Sequence, residues 1–84
     1  MTFLASHLRN GLRDAGWQNV DLWVATLAIG TSMEITDVDA FTSGDREPTA
    51  GQYDAMACAL NERLDDFGMD HPMTAWRDLP DRAI

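Results

Sequence analysis

The chain has 84 residues and a formal net charge of −8, with fourteen acidic residues, six basic residues and 45% hydrophobic residues. That length predicts one domain (residues 1–80, with a frayed tail at 81–84), and the apolar fraction supports a packed core rather than general disorder. The longest apolar stretch, Leu22–Ile29, falls far short of the ~20 residues a membrane span requires, so no membrane association and a cytoplasmic location are expected. All six basic residues are arginine; a lysine-free chain rich in alanine and aspartate suggests a GC-rich genome, such as a high-GC bacterium or its phage, and a haloarchaeal one fits as well.

Hydrophobic periodicity is helical throughout, with no strand-length alternation. A first helix is expected from about Phe3 to Ala15, with Leu4, Leu8 and Leu12 on one stripe and Gly16 as its stop. A second follows, with Val20, Trp23, Val24, Leu27 and Ala28 on its inner face, Asn19 as N-cap and Gly30 as terminator. A third should begin near Ser32, because Thr31 and Glu34 have capping-box spacing. Its buried edge is Ile35, Val38 and Phe41, and Gly44 and Pro48 end it. The fourth starts at Thr49, with Gln52 completing a second capping box, and turns Tyr53, Met56, Ala57, Leu60 and Leu64 inward. Gly68 closes it. A short fifth helix is expected around Asp70, His71 and Pro72, with Met73 and Trp76 packing back and Pro80 stopping it. The fold class is therefore a compact all-α domain of four or five helices. The single cysteine, Cys58, excludes an internal disulfide and, among Ala57, Ala59 and Leu60, is expected to be a buried thiol.

No constellation for catalysis emerges. Ser6-His7 is merely an adjacent pair. His7, His71 and Cys58 lack metal-ligand spacing. Asp65, Asp66 and Asp70 do not alternate as a calcium loop does, and no glycine-rich phosphate loop occurs. The expectation is a protein that is not an enzyme and uses no cofactor or metal.

From Trp17 to Leu64 the chain resembles Cro/CI-type (XRE-family) helix-turn-helix domains, as an unusually acidic member. Leu22–Gly30 is similar to the family's second helix. Val38 and Phe41 match buried positions of its recognition helix. Gly44-Asp45-Arg46-Glu47-Pro48-Thr49 is similar to its Gly-x-Arg-x-Pro-Ser/Thr link. The spacing from Gly30 to Gly44 exceeds the usual one by about two residues, which enlarges the turn. The resemblance implies a lambda-repressor-like fold and a small transcriptional regulator binding operator DNA as a homodimer. It places candidate DNA contacts at Ser32, Ile35, Thr36, Asp37 and Ala40; separately, Arg9 and Arg13, four apart on the first helix beside its apolar stripe, would form with Arg46 a small basic rim toward phosphates.

Charge points elsewhere. Between Arg13 and Arg63 there are nine acids and one base, Arg46, whereas DNA affinity rests mainly on neutralising phosphates with Lys and Arg. The alternative is an acidic protein-interaction module on the same scaffold, such as an antirepressor, a modulator or a DNA mimic. It would present Glu34, Asp37, Asp39 and Asp45 to a basic partner protein, with Trp17 as an apolar anchor. Trp23 and Trp76 read as core or edge packing.

Overall fold

The computed structural model describes residues 3–68. They form four helices: α1 (Phe3–Ala15), α2 (Asn19–Ile29), α3 (Ile35–Ser43) and α4 (Ala50–Asp66). The domain is all-α, with no strand among the described residues. The expected fifth helix at 70–80, with Met73 and Trp76, and the tail at 81–84 lie outside the described residues.

α4 is the element on which the others assemble. Its residues Tyr53, Met56, Ala57, Leu60 and Leu64 are buried as the periodicity predicts, and Ala55 and Ala59 widen the stripe. α1 brings Leu4, Leu8 and Leu12 into the same cluster, joined by Leu22, Met33, Val38 and Phe41. Each such large apolar side chain contributes roughly 1.5–3 kcal/mol when fully buried. The α4 start is a reciprocal box: Gln52 N–H donates to Thr49 Oγ1 at 3.1 Å, and Thr49 N–H donates to Gln52 Oε1 at 2.8 Å. α1 and α2 both pack on α4, and α3 spans α1 and α2.

α2 sits the other way round from the sequence expectation. Leu22 and Thr26 are its buried residues, while Val20, Val24 and Leu27 are 45%, 54% and 43% exposed. Apolar residues lie on nearly every side of this helix, so periodicity alone does not choose a face. The choice is made by polar chemistry. Trp23 Nε1–H donates to the Met33 carbonyl at 2.8 Å, which turns the indole toward the link after α2. Thr26 can be buried at no polar cost because its hydroxyl donates to Trp23 O at 2.7 Å. Its own carbonyl accepts from Thr31 N–H at 3.2 Å and from Thr31 Oγ1 at 3.1 Å. Gly30, at φ 107°, makes this reversal possible; a side chain there would be strained.

Three further expectations are corrected. The N-cap of α2 is Gln18, not Asn19: Gln18 N–H donates to Asp21 Oδ2 at 2.9 Å. Asn19 is then available for α3, where its amide donates to Asp39 Oδ1 at 2.8 Å and Thr42 Oγ1 at 3.0 Å. α3 begins at Ile35 rather than near Ser32, because Glu34 is its N-cap and Asp37 completes the box. Cys58 is exposed. It lies one residue past Ala57 and four past Asp54, on the outer side of α4, so helical phase overrides its apolar neighbours.

The reversed α2 predicts unequal costs for similar-looking truncations. Leu8→Ala, in the core, should lower unfolding free energy by about 2–5 kcal/mol, and Val24→Ser should change it by no more than ~0.5 kcal/mol; urea titrations of both variants measure the contrast. Tyr53 adds an alkaline signature. Burial, then the nearby Asp54 carboxylate, pushes its phenol up to about 12. The unfolded phenol ionises near its ordinary value of about 10 while the folded one keeps its proton. Stability should therefore fall as pH rises between about 10 and 12, a loss that Tyr53→Phe should reduce in pH-dependent denaturation.

Candidate interaction surface

The α3 start is built around one carboxylate. Asp37 Oδ2 accepts the Glu34 N–H at 2.9 Å, capping the helix from its third position. Its other oxygen, Oδ1, holds the Arg46 guanidinium in a hydrogen-bonded ion pair. The Glu34 N–H and the Arg46 partner both stabilise the charged form, in that order, and hold the Asp37 carboxyl below the usual carboxylate range. Arg46 is placed for this by the turn after α3. Gly44 takes φ 88°, its N–H and that of Arg46 both donate to Ala40 O, and the guanidinium lies 5.0 Å from the Phe41 ring centroid. Arg46 is thus engaged on two sides: an ion pair with α3 and an aromatic face beneath it.

The remaining candidate residues divide accordingly. Thr36 and Asp39 are exposed along α3, Ala40 and Ile35 are half-buried, and Ser32 is exposed but precedes the helix in the link. Asp39 is tied back to Asn19. Asp45 and Glu47 are exposed on the α3–α4 link, next to the engaged Arg46, and Glu34 is exposed at the α3 cap. The α3 side of the molecule therefore presents carboxylates with one arginine already occupied among them.

Arg9 and Arg13 lie apart from this surface, on α1. With Ser6 and Asn10 they line an open cleft of about 370 Å³. Arg13 has Asp14 at 3.7 Å, both well exposed, a pairing of little energetic weight. Trp17 is not a projecting anchor. It is half-buried, packs on the core, and has the Arg63 guanidinium 5.8 Å from its ring centroid. Arg63 also lies 4.5 Å from the Phe67 centroid and donates from Nε to Ala15 O at 3.3 Å. The His7 ring stacks 6.5 Å from that of Tyr53, and burial lowers its pKa. Among the described residues no group of three His, Cys, Asp or Glu is arranged to hold a metal ion, and no helix is long and apolar enough to cross a membrane.

Two elements of the surface escape the sequence reading. The Asp37–Arg46 bridge was hidden because Thr31/Glu34 and Glu34/Asp37 share the same capping spacing; the second pair prevails. The outward apolar stripe of α2 was hidden by being assigned to the core. Its signal was present in the charge-free run Leu22–Ile29, which has more apolar residues than one inner face can absorb.

Comparison with known proteins adds no assignment: no protein-family profile, no curated protein and no solved structure matches the chain significantly.

The Asp37 bridge should be visible in acid titrations. Its folded pKa lies below the unfolded value, so its stabilisation is present above the ordinary carboxylate pKa of about 4 and is lost as pH falls through the lower folded value. Asp37→Asn should flatten the acid limb of stability against pH below about 4, measured by urea midpoints across that range. A limb of unchanged slope would show that the bridge does not contribute.

Proposed function

We propose that this protein is an acidic helical interaction module that captures a basic partner protein, in the manner of an antirepressor, a modulator or a DNA mimic. The observation that carries the reading is the engagement of Arg46. It is the one base between Arg13 and Arg63, and it is already paired with Asp37 and laid over Phe41. A DNA phosphate would have to compete with a carboxylate that also caps α3. Glu34, Asp45 and Glu47 on the flanking cap and link, with Asp39 toward α2, oppose a polyanion and favour a cationic surface. Electrostatic complementarity of this kind speeds encounter and selects partners by charge.

The second reading, a dimeric helix-turn-helix regulator of the Cro/CI type binding operator DNA, has one observation in its favour. Arg9 and Arg13 line a common cleft with Ser6 and Asn10, a set of donors suited to phosphate oxygens. The reading needs that cleft and α3 to address one duplex, with Thr36 and Ala40 toward the bases. Regulation of transcription is a role compatible with both readings.

Fluorescence anisotropy with labelled duplex at ~50 mM salt, where phosphate contacts are strongest, separates them. The expected result is no complex. A sequence-selective complex that weakens steeply with salt and disappears in Arg46→Ala would overturn the proposal. In the positive direction, the double variant Asp45→Lys, Glu47→Lys should weaken binding of a captured cationic partner by about tenfold or more; undiminished binding counts against it equally.

A further inference from the structure

The feature that no role yet absorbs is the outward stripe of α2. Val20, Val24, Leu27 and Ile29 are each 43–54% exposed. Val20, Val24 and Leu27 recur at i, i+4 and i+7, so they form one continuous row, and Ala28, also exposed, borders it. A surface helix ordinarily turns polar residues outward; this one carries a single charge, Asp21. Asp21 precedes Val24 by three residues and so adjoins the row. Asp39 is drawn to the same end of α2 by its bond from Asn19, itself adjacent to Val20. The row is therefore apolar along its length and acidic at its N-terminal end, and neither α2 nor α3 contains a basic residue.

We propose that this face seats an amphipathic helix of the partner protein, with small or branched apolar side chains laid along Val20–Val24–Leu27 and arginine or lysine directed at Asp21 and Asp39. The inference rests on the acidic-module reading and names the contact element that reading leaves open. Charge complementarity selects the occupant. A second copy of this chain would bring another −8 and set its own Asp21 and Asp39 against an acidic border. Size argues the same way. α2 has 11 residues, about 16 Å of helix, and one face of that length falls well below the ~800 Å² per partner of a standard stable interface. It does match a single docked helix of a few turns, recognised through apolar anchors at helical spacing.

The test uses the full chain and a synthetic peptide of about 14 residues, with leucine and alanine on one face and arginine flanking it, titrated by anisotropy. Binding in the micromolar range is expected. The double variant Val24→Ser, Leu27→Ser should weaken it about tenfold or more, and a peptide with glutamate in place of arginine should not bind. Both substitutions are at exposed positions, and an unchanged thermal transition verifies the fold. Peptide binding that ignores the double variant overturns the site. So does a dimer in sedimentation equilibrium that the double variant abolishes, which would make a second copy the occupant. Cross-peaks within one molecule between Val24 methyls and residues 69–84 would assign the face to the chain itself and overturn it too. If Asp45→Lys, Glu47→Lys releases a cationic partner while Val24→Ser, Leu27→Ser does not, this inference falls and the acidic-module reading stands. The converse result retains the docking face and removes the α3–α4 link from the reading.

Discussion

Everything in this structure is arranged around the inner stripe of α4. A chain this small can assemble only one substantial apolar cluster, and Tyr53, Met56, Leu60 and Leu64 supply its spine. α1 and α2 must both reach that spine, which leaves α3 to bridge them from the side. The short links then permit few alternatives. Once Leu22 and Thr26 turn inward, Val20, Val24 and Leu27 have no place except outside. The exposed apolar row is thus a by-product of how the core is filled: one helix has more apolar residues than the interior has room for.

Where the sequence offered one stripe, it could be read correctly. α1 shows Leu4, Leu8 and Leu12 and little else that is apolar on its remaining faces. α4 shows a single inward row with a capping box before it. Both helices lie where periodicity places them. α2 offered two rows, and the row with more aliphatic bulk was the wrong one. Burial of Thr26 depends on a hydroxyl bond to Trp23 O, and the position of Trp23 depends on the Met33 carbonyl across a turn. Such polar satisfaction across a link has no periodic signature. The same holds for the α3 start, where two overlapping pairs had the correct spacing and only three-dimensional placement of Arg46 favours Asp37 over Thr31. Charge was legible in number but not in pairing: composition counts Arg46 only as a cation, whereas the structure, while leaving its side chain 55% exposed, pairs it with a carboxylate and sets it against a ring.

That commitment shapes the functional argument more than the helical architecture does. A four-helix arrangement with a turn between its middle helices hosts unrelated functions, so the site rather than the fold must decide among them. Here the site combines an acidic α3 side, an occupied arginine and an uncovered aliphatic row. The first two disfavour a polyanion. The third, bordered by Asp21 and Asp39, favours a partner that is both apolar and cationic. Arg9 and Arg13, on a separate face of α1, are the counterweight, and they provide the chemistry on which a nucleic-acid role would have to be built.

The Arg63 side chain has a different reach. It spans from near the end of α4 to the Ala15 carbonyl at the end of α1, with Trp17 and Phe67 against its guanidinium. One residue thereby staples the last turns of two helices that are distant in sequence. Fraying of the α4 end gives up the bond that Arg63 makes to the α1 end, so the two ends are energetically coupled at this pole.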